Sequence, residues 1–227
     1  MAVKKTPVRK KRISPKERAR VAELFDHFAT LSDDPRTELH FNSPFTLVVA
    51  VALSAQATDV QVNKATEKLF AVADTPQAIY DLGVDGLIPW INSIGLFRNK
   101  ARNVIELSRI ILEQHGGETP LNREALQALP GVGRKTASVV LNELGIEPAI
   151  AVDTHVFRVA HRLKLSAGKT PDAVEADLMA VVPEPYLTRA HHWLILHGRY
   201  VCLARKPKCQ TCPIAELCPS RDLFIGG

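Results

Sequence analysis

The sequence predicts an all-α protein of about ten helices, on three observations. At four places a serine or threonine precedes a proline, Ser14-Pro15, Ser43-Pro44, Thr75-Pro76 and Thr170-Pro171, pairing a capping side chain with a residue suited to the first helical position. Apolar residues recur at helical spacing, as in Val104, Leu107 and Ile111 and in Val174, Leu178 and Val181. No stretch carries the sustained alternation of a half-buried strand, and the segments between stops run 8 to 20 residues.

The elements follow in chain order. Residues 1–20 hold nine Lys or Arg against one acid, Glu17, whereas 21–227 hold 20 basic and 23 acidic side chains. The formal charge of +5 therefore belongs to the N-terminus, where 1–14 read as a basic, disordered arm that either attracts phosphate or simply stays solvated. A first helix starts at Pro15. The segment 45–55, FTLVVAVALSA, is apolar on every side and has to be enclosed by neighbours, which makes it the centre of a domain. A helix over 59–70 follows, with Asp59 read as its cap, and Gly83, Gly95, Gly116 and Gly145 sit where left-handed helix ends are expected. Helices over 122–129 and 134–144 flank a glycine turn, and 145–152 read as an extended return through Glu147-Pro148-Ala149.

Composition sets the class. A chain of 227 residues, 46% hydrophobic and 23% charged, can bury a core and is too short for more than two domains. Its longest uncharged apolar run, Phe45 to Ala55, is 11 residues, against the roughly 18 to 20 a bilayer span needs. The start MAVKKTPVRKKR has no apolar core behind its charges, so it does not describe a secretory signal. The expected compartment is a cytoplasm, at a bacterial nucleoid, or a nucleus, and not the cell exterior.

Two clusters carry chemistry. The first is Leu126-x-x-Leu129-Pro130-Gly131-Val132-Gly133-Arg134-Lys135-Thr136-Ala137, a helix-hairpin-helix. Its glycines let the turn approach another backbone, and the first amides of the second helix point outward, which suits a phosphate oxygen. Such a turn grips nucleic-acid backbone without reading sequence. The competing reading is a plain helix connector.

The second cluster gathers all four cysteines, Cys202, Cys209, Cys212 and Cys218, in 17 residues as C-x6-C-x2-C-x5-C. Disulfides are disfavoured in a reducing compartment and in a chain with its own core. A four-cysteine zinc site usually shows two C-x2-C knuckles, and here there is one, so a four-thiolate iron-sulfur cube fits better, with zinc as the alternative. Between the first two cysteines, Arg205, Lys206 and Lys208 add three positive charges and no negative one. They either contact phosphate or balance an anionic cluster.

Together these features resemble the endonuclease III branch of the helix-hairpin-helix DNA glycosylases, bifunctional repair enzymes for oxidised pyrimidines. The likeness runs from about residue 15 to 221 through Ser54-Ala55-Gln56-Ala57-Thr58-Asp59, Gly95-Leu96-Phe97, the LPGVGRKTA hairpin, Val152-Asp153-Thr154-His155, the segment from His191 to Arg199, and the cysteines. It implies a [4Fe-4S] cluster on Cys202, Cys209, Cys212 and Cys218. It also implies a six-helix barrel over 37–147 and a cluster domain of 15–36 with 148–227, with a cleft for damaged or abasic duplex DNA between them. The partners implied are that duplex and no membrane, and the protein is expected to be a monomer.

By the same resemblance Lys135 is the nucleophile and Asp153 the catalytic carboxylate. Gly131, Val132, Gly133 and Arg134 of the hairpin dock on DNA, as do Arg205 and Lys206, and Gln56 and Leu96 fill the gap left by an extruded nucleotide. A glycosylase must swing the damaged nucleotide out of the stack before its C1′ is accessible. Lys135 sits in the first turn of its helix beside Arg134, and both the helix dipole and burial in the cleft would favour the neutral amine that attacks C1′. The iminium formed then loses the 3′ phosphate by β-elimination, so one lysine implies base removal and strand nicking. Asp153 would stabilise positive charge on the sugar or shuttle a proton.

Without the resemblance, Asp153 reads as an N-cap, Gln56 as a polar helix end, Leu96 as core, and His191, His192 and His197 as packed histidines. The alternative functions are a monofunctional glycosylase of the same superfamily, which would lack a lysine at 135, and a non-catalytic DNA-binding module.

Overall fold

The computed structural model describes residues 13–225, so 1–12 of the expected basic arm lie outside the described residues. Ser14 does not belong to that arm: its hydroxyl accepts from the Glu17 amide and caps α1 (Pro15–Leu31). The described residues form eleven α-helices and no strand. None of these helices is long and apolar enough to cross a membrane. Contacts divide the chain into two compact units: Thr37–Pro148, and the described residues up to Arg36 together with those from Ala149 onward.

In the first unit, α2 (Pro44–Ser54) is the centre. Ser43 and Thr46 close a capping box at its start, and Phe45 through Leu53 are all buried. Around it lie α3 (Asp59–Phe70), α4 (Pro76–Ile91), α5 (Phe97–His115), α6 (Arg123–Ala128) and α7 (Arg134–Glu143). The apolar stripe of α5, Val104, Leu107 and Ile111, joins the same core. Two local expectations change. The cap of α3 is Thr58, whose hydroxyl accepts from Gln61, and Asp59 is the first helical residue. Gly95 does not take the left-handed conformation. Leu96 does, at φ 60°, because the turn needs its positive φ where α5 begins rather than where α4 stops. Gly83, at φ 63° and ψ 174°, is non-helical and ends one helical stretch where a second begins, as expected, within the range given for α4.

The second unit gathers α1 with α8 (Thr154–Arg162), α9 (Pro171–Val181), α10 (Leu187–Tyr200) and the short α11 (Asp222–Ile225). Val21, Leu24, Phe25 and Phe28 of α1 are buried against Val156, Val159, Leu178 and Trp193. The Trp193 indole N–H donates to the Ser32 carbonyl at 2.9 Å. Single-turn 3-10 helices, Cys209–Thr211 and Ala215–Leu217, shape the cysteine segment.

Candidate active site

In the Thr37–Pro148 unit the hairpin joins α6 to α7. Gly131 takes φ 78°, a left-handed value open to glycine, and an added Cβ there would lie 3.1 Å from the Asn103 side chain on α5. Val132 turns its side chain into the core at 3% exposure and its amide donates to the Leu129 carbonyl at 3.1 Å, so it offers a phosphate no donor and serves to shape the turn. The helix α7 then begins at Gly133 with no side-chain cap, which leaves its first-turn amides for an outside acceptor. Arg134 and Lys135 are exposed on that turn. The burial of Lys135 expected from the sequence is therefore not a property of the free protein. Across the hairpin, Arg123 of α6 donates to the Ser138 hydroxyl of α7 at 2.8 Å and pairs with Glu147, tying the two helices into one rigid turn.

Gln56 and Leu96 lie at the N-terminal end of α5, on the hairpin's side. Both are exposed, at φ 56° and 60°, and with Asn99, Lys100, Asn103 and Gly131 they line one pocket. Leu96 is 60% exposed, so the core role it would have without the resemblance does not hold. Lys100 is 7% exposed, its amine donates to the Ala55 carbonyl at 2.7 Å, and burial draws its pKa down. Sequence reasoning missed Lys100, yet a signal existed: it lies on the stripe of Val104, Leu107 and Ile111, where an apolar residue is expected.

In the other unit Asp153 is the N-cap of α8, and its Oδ1 accepts from the amides of His155 and Val156, both at 2.8 Å. That leaves Oδ2 outside the cap. His191, His192 and His197 are buried, as packed histidines should be. His197 is driven by burial to a pKa of about 4 and stays neutral at physiological pH.

The four cysteines are half-buried and free, and they line one cavity with His197, Leu163, Val201 and Ile214. Burial pushes the Cys212 and Cys218 thiols up, and the charge of the other cysteines pushes the same way. Four thiolates this close call for a cationic group among them. A cube with an iron at each corner takes one thiolate per corner, so four cysteines lining one cavity fit it. Arg162 of α8 holds the loop after Cys202, donating to the carbonyls of Leu203 at 2.6 Å and Ala204 at 3.0 Å, with Cys202 Sγ 3.4 Å away. Arg158 adds bonds to the carbonyls of Cys202 and Gly198. Neither arginine stood out in the sequence, because each acts on carbonyls about 40 residues away. Arg205 and Lys206 are exposed on the loop so held.

Residues 49–184 match the family model of the HhH-GPD superfamily base excision DNA repair proteins, and 202–218 match that of the iron-sulfur binding domain of endonuclease III. The chain is 57% identical to endonuclease III of Haemophilus influenzae over 88% of this chain and 95% of that one. It is 54% identical to endonuclease III of Escherichia coli strain K12, over 90% and 97%. Among solved structures it is similar to a trapped endonuclease III-DNA covalent intermediate, with a TM-score of 0.84 and 41% identity over 91% of this chain and 97% of that one.

Proposed function

Since the chain belongs to the endonuclease III family of helix-hairpin-helix base-excision repair enzymes, we propose that its Lys135 is the nucleophile and Asp153 the carboxylate of the reaction. The protein is a DNA glycosylase and AP lyase, it binds DNA, and its cofactor is a [4Fe-4S] cluster. The substrate we infer is a duplex holding an oxidised pyrimidine or an abasic site. We propose that the chain acts on it as a monomer.

The observation that carries the reading is the start of α7: Gly133 with no side-chain cap, and Lys135 exposed in the first turn. The hairpin takes a DNA phosphate at Gly131, Gly133 and Arg134, the Val132 amide being committed to the Leu129 carbonyl, and Arg205 and Lys206 take another. That anchors the strand without reading its sequence. Gln56 and Leu96 enter the stack where a nucleotide has swung out. The amine of Lys135 bonds to C1′ while the bond to the base breaks, and the base leaves with the electron pair and takes up the proton that the amine gives up. The C1′–O4′ bond then breaks, O4′ takes a proton from water, and an iminium between lysine and C1′ remains. Loss of a C2′ proton from it expels the 3′ phosphate and cuts the strand. The carboxylate of Asp153, held by two amides, offsets positive charge that builds on the sugar.

Borohydride reduction tests the nucleophile. Wild-type protein with an abasic duplex gives a covalent adduct, and Lys135→Gln gives none while still binding the duplex. A variant that still traps, or a wild type that never does, refutes the assignment. The cysteine ligands are tested by iron and sulfide content: about four of each per wild-type chain, with iron lost in Cys212→Ser. Stoichiometric zinc in place of iron would overturn the ligand assignment.

A further inference from the structure

Gln56 and Leu96 share an unusual backbone. Each has a Cβ, and each sits at a left-handed φ that sterics disfavour for such residues. Conformations of this kind persist only where the surroundings impose them. Packing of their own side chains does not, since both are exposed.

One side chain reaches the peptide unit beside Gln56. Lys100 Nζ donates to the carbonyl of Ala55 at 2.7 Å, and that carbonyl belongs to the peptide whose nitrogen is Gln56. Pinning it fixes the plane about which Gln56 turns. The Leu96 carbonyl accepts the amides of Asn99 and Lys100, both at 3.1 Å, as the first turn of α5 requires of any residue there, so the lysine side chain bears on Gln56 and not on Leu96. The two loops also touch: a Cβ on Gly95 would lie 3.9 Å from the Gln56 carbonyl. Lysines are almost never this buried, and burial here works against the charge. An apolar residue would serve the α5 stripe as well, so the amine has another use.

We propose that Lys100 is the positioning residue that holds Gln56 ready to occupy the space vacated by the extruded nucleotide. This rests on the role given above to Gln56. Lys100 itself touches no reacting atom. It acts on the step that swings the nucleotide out, and not on attack at C1′.

The test uses the full-length holoprotein and Lys100→Met, which keeps the bulk of the side chain and removes the amine, with Lys100→Arg and Lys100→Gln alongside. Two single-turnover rates are compared at saturating enzyme: base release from a duplex with a paired oxidised pyrimidine, and nicking of a duplex with a preformed abasic site, where no base has to be extruded. Lys100→Met lowers the first on the order of tenfold or more and the second by less than about threefold, because only the buried carbonyl loses its partner. Lys100→Arg, which keeps a charged donor, recovers most of the loss. Equal losses at both steps, or no loss at either, overturn the proposal.

Amide hydrogen exchange decides independently of activity. The Ala57 amide, bonded to the Ser54 carbonyl, exchanges on the order of tenfold faster in Lys100→Met, while Val140 in α7 is unchanged. Unaltered exchange at Ala57 refutes the positioning role. If Lys100→Met does not fold, the same rates and the same exchange are measured on Lys100→Gln, where the same results support or overturn the proposal. A wild type that releases no base would sink the function proposed above, and the exchange arm would still judge this one.

Discussion

Asp153 commits one carboxylate oxygen to two amides of α8 and keeps the other outside the cap. Its structural and chemical roles can therefore be separated by substitution. Asp153→Asn retains a capping oxygen and should melt within a few tenths of a kcal/mol of wild type, whereas Asp153→Ala should lose about 1 kcal/mol. Both should slow base release by about a hundredfold or more. Thermal melts beside single-turnover rates check this, and an Asp153→Asn enzyme of full activity would remove the carboxylate from the mechanism. The cap was legible, because an Asp-Thr-His run before an apolar helix announces one, whereas the chemical role proposed for Asp153 came from the likeness alone. The cap of α3 was legible too, since Thr58 and Gln61 stand in capping-box spacing, but the adjacent Asp59 is an equally good capping residue and competes for the position. Lys100 could not be placed in the same way. Its partner is a carbonyl 45 residues back, and no local pattern encodes that distance.

At the scale of elements, α8 and α10 meet at Gly198, where an added Cβ would come within 2.9 Å of the His155 Cβ and 3.2 Å of its carbonyl. Both neighbours are backbone or the first side-chain atom, so neither can swing aside. Gly198→Ala should cost about 1–3 kcal/mol, read as a lowered melting temperature. It should also displace α8, which carries Asp153 at its N-terminus and Arg158 against the Gly198 carbonyl, and so slow base release. A Gly198→Ala protein as stable and as active as wild type would show the helices free to part. Helix starts were readable because Ser-Pro and Thr-Pro caps act within one turn, and all four caps are present. The shift from Gly95 to Leu96 was not, because a left-handed leucine is imposed by contacts between loops and not by its own preference.

For the whole molecule, charge is unevenly placed: residues 1–12 hold six Lys or Arg and no acid, so removing them takes the formal charge from +5 to −1. Truncation should leave base release at saturating enzyme unchanged, because no candidate site residue lies there. It should weaken binding to undamaged duplex and flatten its dependence on salt. Equal salt slopes for the two proteins, measured by titration, would assign the arm no part in holding DNA. The hairpin and the cysteine spacing were readable from sequence because each is contiguous. The grip of Arg158 and Arg162 on the cluster loop was hidden, since it joins segments far apart in the chain.

The order of the chain also has a consequence for its synthesis. The α1 helix emerges from the ribosome first, yet its Phe28 stacks on Trp193, which at about 5–20 residues per second appears on the order of ten to thirty seconds later. Throughout that interval Val21, Leu24, Phe25 and Phe28 form a greasy stripe without its mate, while Thr37–Pro148 is already complete behind it. A nascent-chain holding factor would therefore find its customer at the leading end of this polypeptide.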